Sequence, residues 1–91
     1  MAHSLSAKKR IRQNAKRRII NRARRSQVKT QVKRFEAAVA GGEVESASEQ
    51  YRLVVKKLDK TAAGGTMHKK TAARKKSRLA ARLNSLQAKK Q

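Results

Sequence analysis

At 91 residues the chain makes one domain at most, and 26 Lys and Arg against five Asp and Glu leave a formal charge of +21, whose self-repulsion opposes any compact state not joined to a polyanion. The absence of cysteine excludes a disulfide frame, a thiolate zinc site and a cysteine nucleophile together. No run of 18 apolar residues exists to span a membrane, and the opening MAHSLSAKKR has no apolar stretch of the kind a secretory signal needs.

The charges are segregated along the chain. Residues 1–35 carry 13 bases and no acid, residues 36–59 five acids and three bases, and residues 60–91 ten bases and no acid. Two basic arms around a near-neutral middle point to nucleic acid as the polyanion. There is no proline, and the four glycines fall in two pairs, Gly41-Gly42 and Gly64-Gly65. Glycine ends helices, and no run alternates β-branched or aromatic residues, so the pattern predicts three helices and an all-α fold.

The first predicted helix spans 6–40 and is roughly 50 Å long at ~1.5 Å per residue. In its C-terminal half Val28, Val32, Phe35 and Val39 form a narrow apolar seam, with Arg22, Arg25, Lys29 and Lys33 in a stripe beside it. Its N-terminal half is different. Ten of residues 8–25 are basic, namely Lys8, Lys9, Arg10, Arg12, Lys16, Arg17, Arg18, Arg22, Arg24 and Arg25, and they occupy every side of the wheel. Ile11, Ala15, Ile19 and Ala23 line up among them, but Lys8, Arg12 and Arg22 intrude on that line. A helix charged all round has no tertiary face, and like charges four apart, such as Lys8 and Arg12, weaken it further. This half is expected to fray in the free protein and to order on its ligand, lying in a crevice between several nucleic-acid helices.

The second predicted helix spans 44–63. Val44, Ala47, Tyr51, Val54, Leu58 and Ala62 make the cleanest seam in the chain. Ser46 and Glu49 match a capping box. Glu45, Glu49, Arg52, Lys56 and Asp59 share the opposite, solvated face, which should turn away from the polyanion.

The third predicted helix spans 66–89, with Thr66 as a candidate N-cap. Ala72, Leu79, Leu83 and Leu86 form its apolar side, and Lys70, Arg74, Lys75, Arg78 and Arg82 cluster opposite. Lys69 and Lys76 fall on the apolar side and should snorkel. Three seams then close an antiparallel three-helix bundle, with the first half of helix one projecting beyond it. Gly64-Gly65 reads equally as a helix–helix turn or as a phosphate cradle at a helix N-terminus.

Enzyme chemistry finds no candidates. The histidines are His3, near the terminus, and His68, after a glycine turn, and neither basic arm holds a carboxylate to serve its lysines. No catalytic residue, metal ligand or cofactor site is therefore assigned. Single-strand readers need exposed aromatic platforms, but the two aromatics, Phe35 and Tyr51, sit on apolar seams. Affinity should come mainly from phosphate contacts and shape. The chief alternative is a nucleoid-type, non-specific DNA-binding protein. Against it, all three seams are used inside one bundle, leaving no dimer surface.

Three segments carry a family resemblance: Ser6-Ala7-Lys8-Lys9-Arg10; Asn21 through Arg25-Ser26 with Lys29-Thr30 and Val32-Lys33; and His68-Lys69 with Ala72-Ala73-Arg74-Lys75-Lys76-Ser77-Arg78-Leu79. In this order and at these separations the chain closely resembles the bacterial small-subunit ribosomal protein S-twenty family, whose turns coincide with the glycine pairs. The resemblance implies a three-helix bundle that binds 16S-type ribosomal RNA directly and aids early assembly at the bottom of the subunit body. It implies contact with several RNA helices, including the long penultimate stem. It also implies few or no protein contacts, no membrane, a monomer within the ribosome, and a cytoplasmic rather than organellar location. Carried over by position, Ser6 to Arg10, Asn21, Arg25, Ser26 and Thr30 would touch RNA from helix one. His68, Lys69, Arg74, Lys75 and Arg78 would do so from helix three. The family commonly has Lys-Gly where this chain has Gly64-Gly65, and Asn where it has Lys70.

Overall fold

Three helices follow one another in the computed structural model, which describes residues 5–90: α1 (Leu5–Ala40), α2 (Val44–Ala63) and α3 (Lys69–Lys90). No strand occurs among the described residues. His3 lies outside them.

The two glycine pairs build the same closure twice. After α1, the Gly42 N–H donates to the Val39 carbonyl at 3.0 Å and the Glu43 N–H to the Ala38 carbonyl at 3.2 Å. After α2, the Gly65 N–H donates to Ala62 at 3.1 Å and the Thr66 N–H to Thr61 at 3.1 Å. This is the Schellman pattern, in which the second glycine must be left-handed. Gly42 (φ 71°) and Gly65 (φ 79°) are so. Changing Gly65 to alanine should therefore cost about 1–2 kcal/mol, lowering Tm by roughly 4–8 °C for each kcal/mol in a thermal melt.

The second helix starts at Val44 as predicted, but the start of the third and the capping box of the second need correcting. α3 begins at Lys69, because Thr66 is occupied as the last residue of the preceding closure. His68 takes the N-cap position instead: its Nδ1 accepts the Lys70 N–H at 3.1 Å, and its carbonyl accepts the Ala72 N–H at 3.1 Å. In α2, Glu43 stands at the N-cap without a side-chain cap bond, so Ser46 and Glu49 lie inside the helix and form no capping box there. Gly64-Gly65 is a helix–helix turn, four residues short of the α3 N-terminus, and does not cradle that helix's first amides.

The core is the three seams brought together. Val28, Phe35 and Ala38 from α1 meet Ala47, Val54 and Leu58 from α2 and Ala72, Leu79, Leu83 and Leu86 from α3. Val32, Val39, Val44, Tyr51, Ala62 and Met67 pack around them, half-buried. The Phe35 and Tyr51 rings lie tilted at 53° with centroids 6.0 Å apart, an aromatic pair inside the packing. Gln31 is a polar member that the apolar spacing does not reveal. It is buried on the α1 seam, and its Nε2 donates to Oε1 of Gln50 on α2, which removes the penalty of an unpaired buried amide. Buried Thr61 donates back to the Lys57 carbonyl at 2.7 Å, satisfying its hydroxyl within its own helix.

α2 packs along both neighbours, whereas α1 and α3 meet only over a short stretch. The bundle is therefore open on one side, with a groove between α1 and α3 in place of a third closed seam. It is also long, at 66 × 21 × 14 Å, with a radius of gyration of 17.9 Å. A compact chain of this size would have roughly 12 Å. The excess comes from α1, whose first half runs past the bundle as an arm. Every side chain from Lys8 to Ile20 is exposed, as expected of a helix basic on all sides.

Candidate nucleic-acid interface

A latch orients the arm. Where α1 enters the bundle, Asn21 and Arg24 are half-buried against the α2–α3 turn. Arg24 Nη1 donates to the Gly64 carbonyl and to Thr66 Oγ1, each at 3.2 Å. The Thr66 hydroxyl donates onward to Asn21 Oδ1 at 2.6 Å, so one oxygen both accepts and donates. The Arg24 guanidinium fills the place where a residue-64 side chain would be: a Cβ there would lie 2.3 Å from Nη1. Gly64 is right-handed (φ −79°), so its smallness serves the guanidinium and not the turn. Changing Gly64 to alanine should thus displace a flexible side-chain end with a small effect on Tm, in contrast to Gly65. Hydrogen exchange should accelerate at the α1 amides around Asn21 and Arg24 while the bundle amides stay protected.

Beyond the latch, α1 presents Arg18, Arg22, Arg25, Ser26 and Lys29 along one shallow surface. Arg25 and Lys29 continue as one wall of the α1–α3 groove, and His68, Thr71 and Lys75 form the opposite wall. Val28, Val32 and Met67 lie between the walls, giving about 550 Å³ of open groove with cations on both rims and an apolar floor. Arg82 Nη1 closes the lower part by pairing with Glu36 at 2.9 Å across the two helices. Below that pair a second hollow, lined by Val39, Ala40, Ser85, Leu86 and Lys89, is less basic.

The sequence-predicted site residues fall into two groups. On the arm, Ser6, Lys8, Lys9, Arg10, Arg12, Lys16, Arg17 and Arg18 are exposed. On the α1 flank Arg22, Arg25, Ser26, Lys29, Thr30 and Lys33 are exposed, and on α3 so are His68, Lys69, Lys70, Arg74, Lys75 and Arg78. The other four have side-chain partners on another helix or turn. Asn21 and Arg24 belong to the latch, Lys76 pairs with Asp59 at 2.8 Å, and Arg82 pairs with Glu36. Such part-exposed ion pairs contribute only ~0–1 kcal/mol, so phosphate could replace the carboxylates at small cost.

Three finer expectations change. Asp59 does not share the outward face of Glu45 and Glu49 but turns to α3, where half-buried Lys76 meets it. Lys69 is the first residue of α3 and exposed, so the apolar side of that helix starts only at Ala72. Thr71, on the α3 wall, is not among the predicted site residues, although it stands three after His68 and four before Lys75, the spacing that signals a shared helix face. The remaining acids, Glu43, Glu45 and Glu49, are exposed at the start of α2. No helix among the described residues is long and apolar enough to cross a membrane, and none of their His, Asp and Glu side chains cluster as a metal site would require.

Comparison with known proteins places this arrangement. The family model described as ribosomal protein S20 matches residues 2–84. A small ribosomal subunit protein bS20 of Clostridium botulinum (strain Alaska E43 / Type E3) is 51% identical over 86 residues, covering 94% of this chain and 99% of that protein. The protein of the same name from Shouchella clausii is 49% identical over 88 residues, 97% of this chain and 100% of the relative. That of Alkaliphilus metalliredigens is 52% identical over 84 residues, 92% and 97% respectively.

Proposed function

The chain belongs to the ribosomal protein S20 family, and on that premise we propose that it binds the RNA of the small ribosomal subunit directly and helps the subunit assemble. Its role in the ribosome is structural and not enzymatic. Residues 1–91 act as one RNA-binding unit, working in the cytoplasm as a monomer with few protein neighbours. The observation that carries the reading is the arm: a half-helix basic on every side, exposed on every side, and latched at a fixed angle to a bundle whose α1–α3 groove is rimmed by more cations.

The mechanism is charge neutralisation by rigid rods. RNA helices repel one another, and a helix with Lys and Arg on all sides lets several approach it at once. The Lys8–Arg18 segment enters between them, while Arg22, Arg25, Lys29 and Lys75 hold a backbone that runs past the groove. Most contacts are to phosphates, so affinity is steeply salt-dependent. With ~8 phosphates engaged, the log–log slope is roughly −6 to −7.

Sedimentation of lysate through a salt-containing gradient tests the function. The protein should travel with the small-subunit peak, and its helix-one lysines should crosslink to RNA within that particle. Absence from the peak together with presence on chromosomal DNA would select the nucleoid alternative. Circular dichroism tests the coupling of folding to binding. At low salt the free protein should show less helix than α1, α2 and α3 together contain, and RNA should restore it, because the arm has no buried face to hold it. Full helicity without RNA would refute the coupling.

A further inference from the structure

The arm is not basic alone. Ile11 is 65% exposed and Ile19 70% exposed, and with Ala15 and Ala23 they form one row at intervals of four. Isoleucine is a poorer helix former than Lys, Arg or Ala, so its presence on a fully exposed helix does nothing for helicity. The row also faces away from the bundle, since the latch residues Asn21 and Arg24 and the core residues Val28 and Phe35 lie on the far side of the same helix. Lys8, Arg12 and Arg22 intrude on this row in end-on projection, but along the helix surface Asn14, Arg18 and Arg22 stand on one flank of it and Lys8, Arg12 and Lys16 on the other, all exposed. The surface is a low apolar ridge between two cationic rows.

We propose that this ridge docks in the minor groove of double-stranded RNA, with Ile11, Ala15, Ile19 and Ala23 on the ribose surface and the two cationic rows on the phosphates of opposite strands. The proposal rests on the RNA-binding reading above and specifies which surface of RNA the arm takes. The minor groove of A-form RNA is wide, shallow and lined with riboses, with a phosphate strand at each edge. It matches a ridge of small and medium apolar side chains flanked by charge. The RNA major groove is too deep and narrow for such a face. The minor groove of B-form DNA, at ~6 Å, is too narrow for a helix ~10 Å across. The major groove of B-form DNA, ~12 Å wide, does admit a helix, but its floor is base edges and not riboses, so the ridge finds its ribose surface only in RNA. The row runs ~18 Å from Ile11 to Ala23 at ~1.5 Å per residue, so it follows the groove for part of a turn and leaves the other faces of the arm to neighbouring RNA helices.

The test uses the full-length protein and a double variant, Ile11→Ser with Ile19→Ser, since serine has a helix propensity close to that of isoleucine. Ile20→Ser, off the ridge, is the control. Binding is measured at matched salt to a mixed-sequence RNA duplex, to the DNA duplex of the same sequence, and to phosphatidylserine-containing vesicles. The double variant should lose about tenfold in affinity for the RNA duplex, as expected for two side chains deprived of apolar contact. Its salt slope should be unchanged, since no cation is removed, and its weak affinity for the DNA duplex should not move. Three results would overturn the docking mode while leaving RNA binding intact: wild-type affinity of the double variant for the RNA duplex, an equal loss on DNA, or a loss confined to the vesicles. Wild-type protein that fails to prefer the RNA duplex to DNA would remove the RNA reading itself, and the docking mode with it.

Discussion

Replacing Arg22, Arg25, Lys29 and Lys33 together by glutamine should lower affinity for small-subunit ribosomal RNA by about 10²–10³-fold near physiological salt. It also flattens the log–log salt slope by about 3. The four side chains are exposed on one flank of α1, and the stripe runs from the latch past the groove rim. Each phosphate released costs a slope of ~0.7–0.9, so four give about 3, and the loss in affinity follows from that slope at ~0.15 M salt. Glutamine keeps nearly the helix propensity of Arg and Lys, so α1 is not weakened by the exchange. Filter binding across a salt series measures both quantities. Replacing Glu45 and Glu49 by glutamine, on the outward face of α2, should leave both unchanged. A quadruple variant with lower affinity but the wild-type slope would mean that these residues act through folding and not through phosphates.

Phe35→Ala abolishes cooperative unfolding of the free protein. Phe35 is wholly buried at the centre of the core, against Tyr51 and beside the fully buried Leu58 and Val54. Truncating a buried phenylalanine costs about 3–5 kcal/mol. A small, strongly charged domain sits near the lower end of the usual ~5–15 kcal/mol, so little or nothing remains. A thermal melt followed by circular dichroism should show a broad, non-sigmoidal loss of helix. Because only the folded form binds RNA well, saturating RNA should restore a transition. A sigmoidal melt of Phe35→Ala within a few degrees of wild type would show that the bundle is far more stable than its core suggests.

The parts of the fold that repeat at short range could be read directly. Val54 and Leu58, or Leu79, Leu83 and Leu86, fall on one helix side by spacing alone, and both glycine pairs end helices where the spacing stops. What was not legible joins residues far apart in the chain. Nothing local about Thr66 says that its hydroxyl is engaged by Asn21 and Arg24, so it resembles an N-cap until the α2–α3 turn is seen beside α1. Asp59 matches the solvated face on a wheel, yet Lys76 draws it to α3. Three amphipathic helices also leave undecided whether all three pairs close. Only the structure separates α1 from α3 and so creates a groove. The candidate site divides the same way. The exposed cations follow from composition and periodicity. The four polar residues with partners on another element, and the contribution of Thr71 to the groove, depend on how the helices are set against each other.

The latch has a consequence in time as well as in space. Arg24 and its partners Gly64 and Thr66 are 40 and 42 residues apart, and Asn21 and Thr66 are 45 apart. At ~5–20 residues per second, the arm leaves the exit tunnel roughly 2–9 s before the turn that will hold it has been made. For that interval the nascent chain carries its densest cationic segment with nothing to aim it, inside a cell full of RNA. A chain cut short before Gly64 would keep the arm and lose its bearing, and should compete for the same RNA without bringing its helices together. The order in which the segments are synthesised thus places the cationic arm first and the turn that it is latched to last.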